Sequence, residues 1–481
     1  MGLKKNFFYS TVLTTSNYIF PLLVFPYVSR VLGVSNIGIC SFIDNLINYF
    51  ITFSMLGISG LGIREVSSNK SNHQELNKIF SNLIVLNGIF TFVFFVLLLI
   101  CTQFIDKLHT YDKLIYIGAI KLLFNFLLVE WLYTGLEEFK YITIRTLIVK
   151  TLYIISVFLL VKQPSDYVVY FILTTLIVVI NAIINIVRSR KIVHFKPNFL
   201  KLSTYLKPYV ILGVYMVLTS IYTTFNIVYL GFMSSDKEVG YFSTAYKLLI
   251  IFLSIYTAWS NVAMPRMSEL FTNKKEDEYK KLIEQSFSAL LCFSMPIIIL
   301  GMLFSPDIIY IISGTGFEKS GMLLRLLFPL LFVIGYSQIM IMQILIPLKE
   351  DKALLILSLI GAVVGTIINI LFTPALNSVG SCIAWISAEF LIMITAQQII
   401  RKKINRSFPF KLLTKNLIAY IPAIIICMLF SLNFKLSPFV RLFCSTLFMI
   451  GYFIFIQCHY LKNNFLLSKT NQLRKRFFHH R

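Results

Sequence analysis

The residues of this chain that could do chemistry are charges set inside long apolar runs. Asp44 has Ser41, Asn48 and Thr52 on its own helical face, at i−3, i+4 and i+8. Lys247 shares a face with Ser243, Thr244 and Ser254, and Thr143, Thr146, Lys150 and Tyr153 form a third polar stripe. Lys121 and Asn125 are an i,i+4 pair, and Glu389 stands alone with Trp385 one turn before it. A charge at mid-bilayer costs on the order of 2.5–3.5 kcal/mol, so each needs a reason. For Asp44 and Lys247 two reasons fit. One is a wet cavity in which cations meet an anionic group and carboxylates exchange an ion. The other is an Asp–Lys pair that holds helices together. Asn17 closes a Thr14-Thr15-Ser16-Asn17 cluster followed by Pro21 and Pro26, a composition that permits a bent helix with hydroxyls satisfying freed backbone groups. Polar helix packing accounts for the same residues. Arg30, near the outer end of that run, either lines a cavity or snorkels to the interface. Glu130 and Arg145 match in depth across a short turn and read as a structural ion pair.

The elements that must position these residues are membrane spans. The chain has 481 residues, is 57% hydrophobic and has a mean hydropathy of +0.79, outside the range of soluble domains. Apolar runs of roughly 20 residues, the length needed to cross the hydrocarbon core, number about 14, from residues 8–30 to 438–460. Twelve is the alternative count. With the N-terminus in the cytoplasm, 32 Lys and Arg fall on the inner side, nine on the outer side and three (Lys121, Lys150, Lys247) inside spans. This asymmetry predicts both termini in the cytoplasm, including the basic tail Lys462–Arg481. It also accounts for the net charge of +23 as membrane topology, so no nucleic-acid partner is expected. All seven cysteines lie in apolar segments without metal-ligand spacing, and no disulfide framework is expected.

Residues 35–67 slide forward by 202 positions onto 237–269 without gaps, with identities that include Gly38 on Gly240 and Arg64 on Arg266. Each copy begins at a polar turn with a glycine, runs through about 20 apolar residues and ends at an arginine. Two similar halves, each with a charge in a span, outline a transporter. The resulting expectation is an all-α polytopic protein: a six-helix lobe over 1–200, a second pseudo-symmetric lobe over 201–405 around a central cavity, and two further helices over 406–481. There is no G-x-x-x-x-G-K-[ST], no histidine at mid-span and no nucleophile elbow, so neither an ATP-driven pump site, a histidine metal site nor an enzyme is expected.

Three segments carry a resemblance. Glu130-Trp-Leu-Tyr-Thr-Gly-Leu-Glu-Glu-Phe-Lys-Tyr-Ile-Thr resembles a "W-x-x-x-G-x-E-x-x-x-Y-I" segment of bacterial polysaccharide repeat-unit flippases, the Wzx-type members of the multidrug/oligosaccharidyl-lipid/polysaccharide (MOP) exporter superfamily. Gly361–Gln397 resembles that family's C-terminal region, and Arg30-Val-Leu-Gly followed by Ile37-Gly38 resembles its opening. The resemblance implies movement of an undecaprenyl-pyrophosphate-linked oligosaccharide from the inner to the outer leaflet of the bacterial cytoplasmic membrane, for O-antigen, capsule or a related glycan. It implies no cofactor beyond a coupling ion, proton or sodium. A monomer is the expected state, because all parts of the cleft lie in one chain, and it works either alone or beside a polysaccharide polymerase. Lys247, Lys150, Lys121, Arg30, Asn17 and Asn48 are the candidate substrate contacts, and Asp44 and Glu389 the candidates for ion coupling. An ion-coupled multidrug exporter of the same superfamily is the competing reading. Its cavity would be acidic and aromatic, whereas here three lysines lie in spans. A membrane polymerase or glycosyltransferase would need large outer loops, and no loop here is large enough to fold by itself.

Overall fold

The computed structural model describes residues 3–404, 408–432 and 436–461, and every regular element among them is helical. The basic tail Lys462–Arg481 lies outside the described residues. The chain divides into two compact units. The first comprises Met1–Ser243 and Asn369–Ser381. It holds α1 (Leu3–Met55), α2 (Ile58–Ser68), α3 (His73–Phe104), α4 (Asp106–His109), α5 (Asp112–Asn125), α6 (Glu130–Gly135), α7 (Phe139–Leu160), α8 (Tyr167–Ser189), α9 (Leu202–Thr223), α10 (Phe225–Met233) and the start of α11 (Asp236–Thr272). The second comprises Thr244–Ile368 and Cys382–Arg481. It holds the rest of α11, then α12 (Glu276–Ser313), α13 (Glu318–Leu327), α14 (Leu330–Gln338), most of α15 (Asp351–Leu376) and α16 (Ser378–Ile404), α17 (Phe410–Ser431) and α18 (Pro438–Phe455).

Eleven helices among the described residues are long and apolar enough to cross a membrane, or twelve when Glu318–Leu327 and Leu330–Leu345, bent by 43°, count as one span. The protein is therefore a multi-pass membrane protein. At 1.5 Å per residue, the 53 residues of α1 would extend about 80 Å, far beyond a hydrocarbon core of about 30 Å. Its continuity is broken at Gly33, whose φ of 75° and ψ of 170° lie outside helical space and open to glycine without strain. A starter cap is visible at α3, where the Asn72 side chain accepts from the backbone N–H groups of Gln74 and Glu75 at 3.1 and 3.2 Å.

Helix α7 shows how these elements are oriented. Ile144, Ile148, Leu152, Ile155 and Leu159, spaced by one turn, are exposed, while Thr143 and Thr146 on the other side are buried. Apolar side chains outward and hydroxyls inward is the arrangement that hydrocarbon solvent selects. In the first unit the apolar core gathers Leu61, Phe80, Trp131 and Tyr209, with the Tyr209 hydroxyl donating to the Ser54 carbonyl at 2.6 Å. In the second, Leu291, Phe304, Tyr420 and Met449 pack α12 against α17 and α18, and Arg441 donates to Asp307 at 2.6 Å. All seven cysteines are free thiols.

Both ends of the first unit are fastened by polar contacts. At one end, the Tyr111 hydroxyl reaches both carboxylate oxygens of Asp236 at 2.8 and 2.7 Å, Ser234 Oγ lies 2.6 Å from Asn377 Oδ1, and the Ser378 N–H donates to Glu238 at 3.2 Å. Here the glycines of the two similar sequence segments meet. A Cβ on Gly38 would fall 1.8 Å from the Asp236 carbonyl oxygen, and one on Gly240 would fall 2.1 Å from that of Val34. At the other end, Asn77, Ser81 and Asn82 of α3 accept backbone N–H groups of His194, Lys196 and Lys201 at 2.6–2.8 Å. Lys70 also pairs with Glu137 there at 2.6 Å, and the ammonium holds that carboxyl below its usual range.

The glycine contact makes a direct expectation about stability. Gly240→Ala should lower the thermal stability of the detergent-solubilised protein by about 1–3 kcal/mol, because the new methyl has no room beside the Val34 backbone. Gly60→Ala, whose methyl would find its nearest neighbour at 3.8 Å, should leave the unfolding midpoint unchanged or raise it.

Candidate functional site

In the first unit the candidate charges form separate polar contacts, the first of them between α1 and α5. The four-residue step from Asp44 to Asn48 puts both on one face of α1, and Asn48 Nδ2 donates to Asp44 Oδ2 at 3.0 Å. Lys121 reaches across from α5. Its ammonium donates to Asp44 Oδ1 at 2.7 Å and to Asn48 Oδ1 at 2.8 Å. The Lys121 side chain is 12% exposed and that of Asp44 36%, so the pair is partly open on the carboxylate side. Asn125, on the same face of α5 as Lys121, turns instead to Met55, its Nδ2 lying 2.6 Å from the sulfur. Tyr153 and Tyr170, from α7 and α8, stand close to Asp44 and to each other.

A second cation lies one turn along α7 from Tyr153. Lys150 donates to Asn17 Oδ1 at 2.5 Å and stands 5.6 Å from the centre of the Phe20 ring. Lys150 is half-buried, whereas Asn17 and Arg30, both on the first part of α1, are exposed. Near the start of α7, Arg145 donates to Glu130 at 2.8 Å and to Thr146 Oγ1 at 3.0 Å. Its side chain is 4% exposed, while that of Glu130 is 51% exposed.

Two candidates belong to the second unit. Lys247 is half-buried on α11. Glu389 is 7% exposed on α16 and accepts from the Trp385 indole N–H at 3.4 Å, with the Trp385 ring 5.1 Å from that of Tyr246. The helical i,i+4 step links Trp385 to Glu389, as the sequence spacing suggests.

What the arrangement can do follows from its charges. A lysine held by one carboxylate and one amide has a third N–H direction to offer, and it can exchange its carboxylate for another anion. A carboxylate so displaced takes up a cation or a proton. Sequence spacing alone did not bring Lys121 to Asp44, because helical periodicity sorts faces within one helix and carries no register between helices. The Asp307–Arg441 pair was missed for a different reason. Both residues lie near the ends of apolar runs, where charges read as loop residues.

Against known proteins, the family model described as polysaccharide biosynthesis protein matches residues 3–271, more than half of the chain, and the MatE model matches residues 211–371. The putative O-antigen transporter of Shigella dysenteriae is 27% identical over 394 residues, spanning 78% of this chain and 98% of that relative. The putative O-antigen transporter of Escherichia coli (strain K12) is 22% identical over 396 residues, spanning 82% and 95%. Among solved structures, the lipid II flippase MurJ in an inward closed conformation superposes with a TM-score of 0.78 over 95% of this chain and 99% of that one, at 18% identity. An inward-facing multidrug resistance MATE family transporter of the MOP superfamily superposes with a TM-score of 0.63 over 81% of this chain and 94% of that one, at 13% identity. The paired charges inside the spans thus sit on a MOP-type fold, and the chain belongs to the polysaccharide biosynthesis protein family.

Proposed function

We propose that this protein is a flippase that moves a polyprenyl-pyrophosphate-linked oligosaccharide from the inner to the outer leaflet of the bacterial inner membrane, and that it is not an enzyme. The carrying observation is Lys121, an ammonium held inside the spans by Asp44 and Asn48 at hydrogen-bond distance. Support comes from family membership and from two putative O-antigen transporters that align over nearly their whole length. The lipid II flippase shares the fold.

On this reading the pyrophosphate competes with Asp44 for the Lys121 ammonium, and Asp44, once released, takes the coupling ion, proton or sodium. Lys150 and Lys247 supply further positive charge to the phosphates, Asn17 and Asn48 meet sugar hydroxyls, and Arg30 receives the headgroup late in its passage. Glu389, a buried acid in a span, is the second coupling carboxylate. Fourteen spans, in lobes over 1–200 and 201–405 followed by two helices over 406–481, are supported by α1, which is long enough for two crossings, and by the 37-residue α11. The excess of Lys and Arg on one side supports cytoplasmic termini. The protein acts as a monomer and hands its product to a polysaccharide polymerase. The MatE match and the MATE neighbour favour one alternative, an ion-coupled multidrug exporter.

A deletion strain tests the substrate. Complete lipid-linked repeat units should accumulate in the inner leaflet, shielded from an impermeant glycan-modifying reagent in intact spheroplasts. Units that reach the outer leaflet normally without this protein would contradict the reading, and an unchanged lipid pool with increased drug sensitivity would favour the exporter.

The Asp44–Lys121 pair gives a second expectation, one that separates stability from transport. Lys121→Met leaves a partly buried carboxylate without its cation and should cost about 1–3 kcal/mol of stability along with transport. Asp44→Asn with Lys121→Met removes the imbalance and should recover most of the stability while transport stays lost. Recovery of transport in the double variant would reduce the pair to a structural brace.

A further inference from the structure

A cavity of about 700 Å³ in the first unit, separate from the Lys121 cluster, lies between the start of α7 and the end of α8. Its lining is divided by polarity. Lys140, Arg145 and Arg188 supply cations at one level, and Ile144, Ile148 and Ile184 continue it along the helices. Those three isoleucines are 38–55% exposed, so this wall faces outward, on the side where α7 presents its apolar stripe.

The cations are organised. Arg188 stacks on the Tyr141 ring at 3.9 Å and Arg145 stands 6.0 Å from the same ring, so one aromatic side chain gathers both guanidinium groups. Each has one carboxylate partner, Glu138 for Arg188 at 2.8 Å and Glu130 for Arg145 at 2.8 Å. Glu137, also on the cavity wall, is engaged by Lys70. Arg145 nevertheless has hydrogen-bonding capacity left over. Its side chain is 4% exposed, and Nε and Nη1 are buried with no acceptor. With Nη2 engaged by Glu130 and Thr146, the buried Nε–H and Nη1–H are donors left to meet the oxygens of a phosphate.

We infer that this cavity binds a membrane phospholipid, its phosphate held by Arg145 and Arg188 and one acyl chain laid along Ile144, Ile148 and Ile184. The polarity of the groove, cationic at the helix ends and apolar toward the membrane interior, is that of a lipid seated in its leaflet. The occupant is a bulk phospholipid and not the transported glycolipid. The volume suits a headgroup and part of one chain, and the opening lies on the outward isoleucine face. The inference is independent of the transport reading, because it rests on the groove alone.

Native mass spectrometry of the full-length, delipidated protein tests it, with dioleoylphosphatidylglycerol as the probe. One phospholipid should be retained at activation energies that strip all others. Arg188→Gln should weaken that adduct about tenfold or more. Ile148→Asp, at the apolar end, should do the same while leaving both arginines in place. Arg145→Gln should have the largest effect, and the two other variants keep the test decisive if loss of the Glu130 partner impairs folding. Dioleoylglycerol, which lacks the phosphate, should fail to compete. Equal retention of dioleoylglycerol, or retention unchanged in Arg188→Gln and Ile148→Asp, would overturn the assignment. Displacement by millimolar inorganic phosphate would make the groove an anion site and overturn the lipid assignment. One-for-one displacement by a polyprenyl-pyrophosphate-linked sugar would assign the groove to the transported lipid instead.

Discussion

An ammonium group inside a membrane must be matched by an anion, and Lys121 meets that constraint with Asp44 and Asn48. Much of the first unit follows from the need to build that match. Asp44 and Asn48 must share a face of α1, α5 must bring Lys121 alongside, and the tyrosines of α7 and α8 must close the surroundings. In the proposed function the same requirement gives the pair its use. A cation that is only satisfied, and not overcommitted, can transfer its allegiance to a pyrophosphate, and the carboxylate it leaves becomes a site for an ion. On the proposed function, substrate recognition and ion coupling are two states of one hydrogen-bond set.

The helices around the pair are held at both ends, by different means. One end depends on glycines that let the start of the second part of α1 and the start of α11 approach to backbone contact, reinforced by Asp236 and Glu238. The other depends on side chains of α3 that cap the backbone of residues 194–201. The lipid-facing surface asks little of specificity. Isoleucine and leucine repeated every turn along α7 suffice, and polar design is confined to the opposite face.

Much of this was legible in the residues and some was not. Hydropathy delimits most of the crossing helices, because a bilayer imposes a length and a composition that few other environments require. It does not show that the first two apolar runs form one helical stretch with a break at Gly33, since that depends on a single backbone conformation. Helical spacing put Asp44 beside Asn48 and Trp385 beside Glu389, and both contacts occur. Partners on different helices escape such reasoning. Lys121 paired with Asp44 rather than with Asn125, and Lys150 met Asn17, 133 residues away. The Asp307–Arg441 pair and the Arg145–Tyr141–Arg188 stack were equally invisible, being set by how helices pack and not by the period of any one of them.

The most direct test is movement of a defined lipid by the purified protein. Proteoliposomes carrying the full-length protein and a short-chain polyprenyl-pyrophosphate oligosaccharide, labelled on its sugar, would be treated with a membrane-impermeant glycan-modifying enzyme. The fraction accessible from outside should rise above the protected half, at a rate that depends on an imposed proton or sodium gradient, and should stay at the protein-free level with Lys121→Met. Equal accessibility with and without protein, while a cationic drug is transported by the same vesicles, would contradict the central claim.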